Sequence, residues 1–132
     1  MRLLERSLAI RQRLADTDPE NVQTKERLGY VLAHVSRLQV KRGEWSAARP
    51  RAHEAIRVLQ GVFGVTKDRT AQEWMAYAWL ALGGVERAAG DRTASCRAFR
   101  RANDMYRLLT EDKAADRGFL IAEAAREAAA CR

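Results

Sequence analysis

Apolar residues recur three or four positions apart along most of this chain, which is the spacing of one face of an α-helix. The pattern predicts a first helix over residues 2 to 15. A second helix should begin at Asp18 and Pro19, because aspartate caps helix N-termini and the missing N–H of proline costs nothing in the first turn. We expect Gly43 to end this helix near residue 42.

A third helix is predicted from Ser46, which can cap it, to Gly61. The segment 61–68 contains two glycines and is predicted to be a loop, with Val62, Phe63 and Val65 turned back onto the core. Thr70 with Glu73 matches a capping box and predicts a fourth helix that runs to about residue 89. Its apolar residues surround more than one face, which is typical of a helix buried on two sides.

The remaining chain predicts two more helices. The fifth should start at Asp91 or Arg92, and the segment 110–116 should link it to an alanine-rich closing helix over residues 119 to 130. With two prolines and eight glycines among 132 residues, the composition also favours an all-α protein.

Two parts of the sequence match each other at a spacing of 47 residues. The second copy contains, in order, Trp79, Leu82, Gly83, Gly90, Ser95, Phe99 and Ala102. The corresponding residues of the first copy are Leu32, Val35, Ser36, Gly43, Ala48, Ala52 and Ala55. Because an internal repeat builds an extended surface, we expect function to reside in a surface and not in a reaction centre.

Trp79, Leu82 and Gly83, followed by Ser95 and Phe99, resemble the tetratricopeptide repeat (TPR), in which small residues let two helices approach and large residues fill the space between repeats. The resemblance implies an all-α, TPR-like helical-hairpin solenoid of about six helices in a single domain, 1–132. Its parts would be a half repeat (2–15), a first repeat (19–60), a second repeat (70–109) and a closing helix (112–131). The period of 47 is longer than the usual 34 or so and would also suit HEAT or armadillo repeats, but the small and large residues around the turn favour the TPR class.

The resemblance also implies a concave groove, lined by the first helix of each repeat, that binds a peptide or a partner helix. Carried over to this chain, the groove residues are Tyr30, His34, Arg37 and Lys41 from the first copy and Tyr77, Leu80 and Arg87 from the second. The basic residues would favour an acidic peptide or a C-terminal carboxylate, although the usual carboxylate-binding lysines and asparagines of the family are not reproduced. The alternative is that these are ordinary solvated positions and that neighbouring helices fill the groove.

Charge and chemistry narrow the functional classes. The net charge of +7 suits acidic partners, but acids are interleaved with the arginines of the third and fifth helices, so nucleic-acid binding ranks below peptide binding. No catalytic motif, metal-ligand spacing or cofactor-binding loop is present, and we expect a non-enzymatic interaction module without metal or cofactor.

Cys96 and Cys131 are interpreted as unpaired packing residues in a soluble, cytoplasmic protein without a membrane segment. The main alternatives are a homodimerisation domain that pairs through the half repeat or the closing helix, and a fragment of a larger bacterial-type signalling or scaffold protein.

Overall fold

A computed structural model describes residues 1–110 and 118–131 of the chain, and these residues form six α-helices and no strand. The helices are α1 (Arg2–Thr17), α2 (Val22–Lys41), α3 (Trp45–Thr66), α4 (Arg69–Ala89), α5 (Arg92–Thr110) and α6 (Gly118–Ala129). The predicted all-α fold is therefore confirmed. None of these helices is both long and apolar enough to span a membrane.

Two helical hairpins form the centre of the molecule. α2 packs along α3 and α4 packs along α5, while α4 also contacts both helices of the first hairpin. Eleven residues of α4 are buried, more than in any other helix over the described residues. This burial confirms the prediction of a central helix that is covered on two sides.

The two hairpins have corresponding ends at the 47-residue spacing. Asn21 caps α2 by accepting a hydrogen bond from the Thr24 N–H, and Asp68 caps α4 by accepting one from the Thr70 N–H. At the other ends, Gly43 and Gly90 have φ of 79° and 85°, the left-handed conformation that favours glycine. The repeat read from the sequence thus extends to the backbone geometry of the turns.

Small residues bring the two helices of each hairpin into contact. In the first hairpin the Ser36 hydroxyl donates to the Ala48 carbonyl at 3.0 Å, and in the second the Ser95 hydroxyl donates to the Gly83 carbonyl at 3.1 Å. Ser36 corresponds to Gly83 and Ala48 to Ser95, so the same two positions are joined with the donor on opposite helices. Each bond satisfies a buried hydroxyl, which fixes how closely the helices approach.

The other signature residues lie in the packed interior. Leu82, Phe99, Ala102, Ala48 and Ala55 are all buried. Trp79 is half-buried, with the Arg101 guanidinium 5.4 Å from the centre of its ring.

Several predicted helix ends were wrong by a few residues. α2 starts at Val22 behind Asn21, not at Asp18 and Pro19, because the asparagine side chain supplies the capping acceptor. α3 starts at Trp45, and Ser46 does not cap it. The cap of α4 is Asp68, so Thr70 does not open a capping box.

The predicted loop at 61–68 was also wrong. α3 continues through both glycines to Thr66, and Lys67 alone makes the turn, with a left-handed φ of 56°. The helix continues because Val62 is buried against the core and compensates for the low helical propensity of glycine, whereas Val65 is 83% exposed and does not turn inward as predicted. Most of the predicted link at 110–116 lies outside the described residues, as do residues 112–117 of the closing segment 112–131. The helix predicted over residues 119 to 130 is observed as α6.

A disulfide joins α5 to the end of α6, contrary to the interpretation of two unpaired cysteines. Cys96 and Cys131 are bonded with their Cα atoms 5.5 Å apart. They are 35 residues apart in sequence, and only the return of α6 along α5 brings them together. α6 also buries Leu120 and Ala124 in the common core.

Candidate interaction groove

α2 and α4 lie side by side, and one face of the pair carries a cluster of aromatic rings. The Tyr30 ring centre lies 5.1 Å from that of Trp74, 5.6 Å from that of Tyr77 and 6.0 Å from that of His34, which is nearly parallel to it. Tyr30, His34 and Trp74 are half-buried, whereas Tyr77 is only 6% exposed. We call the three accessible rings the aromatic patch; such rings offer a large contact area with polar edges.

The other end of this face is basic, and α6 reaches across it. Arg37 on α2 makes a bidentate ion pair with Glu123 on α6, both contacts at 3.1 Å, and also lies over the Tyr77 ring. Arg87 on α4 is paired with Glu127, one turn further along α6. Two arginines expected to bind an external acid are thus occupied by carboxylates of the chain itself.

A small cavity lies beneath this contact, with a volume of about 110 Å³. Lys41 and Leu80 line it together with Arg37, Arg87 and Glu123. This volume is below the usual range for small-molecule sites, so the cavity is better suited to one or two side chains than to a whole ligand.

The structure therefore brings the predicted groove residues together but divides them into four environments. Tyr30 and His34 belong to the open aromatic patch, Arg37 and Arg87 contact α6, and Lys41 is exposed. Tyr77 and Leu80 are buried and support the groove from below. Sequence reasoning did not place Trp74 in the groove. It also missed the two glutamates of α6, because their contact with the groove joins segments that are far apart in sequence.

His34 connects the aromatic patch to Tyr77 of the neighbouring helix α4. Its Nδ1 lies 3.1 Å from the Tyr77 hydroxyl, within hydrogen-bond distance. Burial lowers the pKa of His34, and the nearby positive charges of Arg37 and Lys41 lower it further. The neutral ring is favoured as a result, so the patch contributes aromatic surface and not an additional positive charge.

A pair of carboxyl groups lies beyond the aromatic patch, where α2 and α4 begin. Glu26 is 6% exposed, and burial together with the Asp68 carboxylate raises its pKa to about 7. The hydrogen bond from Glu26 and that from the Thr70 N–H lower the pKa of Asp68. The protonated Glu26 is therefore a donor to the residue that caps α4.

This pair predicts a stability change near neutral pH. Because the pKa of Glu26 is higher in the folded than in the unfolded chain, its stabilising contribution is complete at low pH and is lost as the pH rises through about 7. We expect the free energy of unfolding to fall by about 2 kcal/mol from pH 5.5 to pH 8. Glu26→Gln, which keeps a donor without a titrating group, should remove most of this fall in urea titrations.

A matched control is Glu54→Gln on α3, a half-buried acid on a different helix. This variant should keep the pH dependence of the unmodified chain. A Glu26→Gln variant with an unchanged pH profile would contradict the assignment.

Many of the remaining arginines make contacts within the chain. Arg49 forms a bidentate pair with the buried Glu86 at 2.7 and 3.0 Å, and Arg51 forms one with Glu5 at 2.7 and 2.9 Å. Arg100 donates to the Cys131 carbonyl at 2.8 Å. These three arginines of α3 and α5 therefore do not belong to a stripe of uncompensated charge.

Within residues 1–110 and 118–131, no three His, Cys, Asp or Glu side chains are grouped so that they could hold a metal ion. Comparison of the chain with protein-family models, curated proteins and solved structures found no match.

Proposed function

We propose that this protein is a non-catalytic interaction module of the TPR type that binds an acidic peptide or partner helix along the face shared by α2 and α4. The repeat of turns, caps and interhelical contacts at a spacing of 47 residues supports the TPR assignment. A face that combines aromatic rings with arginines has the residue types that most often dominate recognition energies.

One observation carries the choice of an acidic, helical partner. α6 presents Glu123 and Glu127, four residues apart on one helical face, to Arg37 and Arg87 on two different helices. This contact is an intramolecular example of the recognition that we propose, since a helix with two carboxylates one turn apart satisfies both arginines. A partner helix with the same spacing would compete with α6 and extend over the aromatic patch.

The proposal predicts that removing the internal acids opens the groove. We expect Glu123→Gln with Glu127→Gln to strengthen binding of an acidic peptide about tenfold, the effect of about 1.4 kcal/mol of released competition. The probe is a fluorescein-labelled, alanine-based helical peptide with glutamates four residues apart, measured by fluorescence anisotropy at low and high salt. A peptide with lysines at the same positions should not bind.

Arg37→Gln with Arg87→Gln should abolish the binding, while Arg97→Gln on the exposed side of α5 serves as the matched control. Equal affinity of the glutamate and lysine peptides, or unchanged binding after loss of both groove arginines, would reject the proposed function.

A further inference from the structure

The outer face of α1 exposes three large apolar side chains. Leu3, Ile10 and Leu14 are 78%, 52% and 51% exposed. They are seven and four residues apart, which places them on one face of the helix. α1 packs on α2 through a different face, which includes the buried Ala15 and the partly buried Leu8.

The internal repeat shows that this apolar face is particular to α1. At the 47-residue spacing, Leu3, Ile10 and Leu14 correspond to Pro50, Arg57 and Gly61 of α3, and all three of these are exposed. The exposed positions of α3 thus carry no large apolar side chain, whereas the corresponding positions of α1 carry leucine and isoleucine. These three side chains are therefore not explained by packing within the fold, and large apolar residues exposed together on one helical face indicate an interaction site.

Charges beside the apolar face indicate what covers it. Arg2, Arg6 and Arg13 are four and seven residues apart and form a row along one edge, and no described residue forms an ion pair with them. The two acids of α1 have other contacts, because Glu5 pairs with Arg51 and Asp16 accepts from Gln12. The face is therefore apolar along its centre and positive along its edge.

This arrangement disfavours a second copy of the chain. If two α1 helices paired in parallel through these faces, Arg6 and Arg13 of one chain would lie beside Leu4 and Arg11 of the other. In an antiparallel pair, the two rows of arginines would lie beside each other. In neither orientation would α1 supply an acid to compensate them, and like charges flanking an apolar seam oppose pairing. An amphipathic helix with acidic residues beside its apolar face would complement both the apolar centre and the positive edge of the α1 face.

We propose that the outer face of α1 is a second docking site, separate from the α2–α4 groove, for an amphipathic helix of another protein with apolar residues along one face and acidic residues beside it. Binding would bury Leu3, Ile10 and Leu14 and pair the row of arginines, in the manner of a two-stranded coiled coil.

The test uses the full chain and a fluorescein-labelled three-heptad peptide with leucine at positions a and d and glutamate at e and g. We expect saturable binding, at least about tenfold weaker for Ile10→Ser with Leu14→Ser and for Arg6→Glu with Arg13→Glu. Arg57→Glu with Arg97→Glu, an equal change of charge on exposed positions of α3 and α5, is the matched control and should bind normally. Circular dichroism establishes that each variant retains its helical content.

Other outcomes separate this site from the groove and from self-association. Arg37→Gln with Arg87→Gln should leave binding of the leucine–glutamate peptide unchanged, and a loss there would overturn the proposal in favour of the groove. Equal binding of a leucine–lysine peptide would overturn it as well. In sedimentation experiments the chain should remain monomeric; a dimer that Ile10→Ser with Leu14→Ser dissociates would assign the face to a second copy instead.

Discussion

Replacing Cys96 and Cys131 together by serine is expected to lower the free energy of unfolding by about 3–4 kcal/mol, because the disulfide between them closes a long loop and restricts the unfolded chain. In the native state the same bond holds the end of α6 beside α5, where Arg100 donates to the Cys131 carbonyl. Urea titrations followed by circular dichroism, with and without a phosphine reductant, measure the loss.

The serine variant is also the control for the reductant. Reductant should destabilise the unmodified chain by a similar amount and leave the double variant unaffected. Equal unfolding midpoints for the oxidised and reduced chains would show that the disulfide does not stabilise the native state.

Loss of the disulfide should also affect the groove. α6 fully buries only Leu120 and Ala124 among its own residues, so much of its attachment depends on the ion pairs at Arg37 and Arg87 and on the bond to α5. Hydrogen exchange should rise mainly in α6 on reduction, since the bond that is lost anchors this helix to α5 and few of its own residues are buried. If exchange rose equally in α2 and α4, the effect would be global and not a release of α6.

Gly83→Ala is expected to destabilise the protein by about 2 kcal/mol, although alanine is the better helix former. A Cβ atom at this position would lie 2.5 Å from two atoms of the Phe99 ring and 2.9 Å from a third. The ring is 3% exposed and has the Arg87 guanidinium over it, so it cannot move aside without disturbing the groove. Overpacking of about 3 kcal/mol therefore exceeds the gain of about 1 kcal/mol in helical propensity.

The adjacent glycine provides the control. Nothing lies within 4 Å of a Cβ built on Gly84, so Gly84→Ala should stabilise the protein by about 0.5–1 kcal/mol. Thermal and urea unfolding of the two variants should move in opposite directions. Similar stabilities would mean that the two hairpin helices can separate at no cost and that Gly83 is not a packing constraint.

Local patterns were sufficient to predict most of the helices. The stripe of apolar residues predicted α2 and α4, and the glycines at 43 and 90 predicted their ends, because a left-handed turn is available to glycine at little cost. Helix starts were less predictable, since Asp18, Asn21 and Ser46 are all good caps and only the packed structure selects among them. The glycines at 61 and 64 were misleading because burial of Val62 outweighed their local preference.

The candidate site, like the helices, was only partly predictable from the sequence. The resemblance to the TPR family implied a common face for Tyr30, His34 and Arg37, which are three and four residues apart on α2. It gave no indication that Glu123 would reach Arg37, a contact between residues 86 positions apart. The pKa of Glu26 was equally unpredictable, as it depends on Asp68 from another helix.

By itself, the sequence determined the helical class, the 47-residue repeat and the small residues that let each hairpin close, since all three depend on interactions between neighbours along the chain or across a short turn. Only the tertiary structure decided that α6 lies across the basic end of the groove, that Cys96 meets Cys131 and that α1 exposes an apolar face. These features depend on where separate helices come together, and that position results from the packing of the whole chain and not from any single segment.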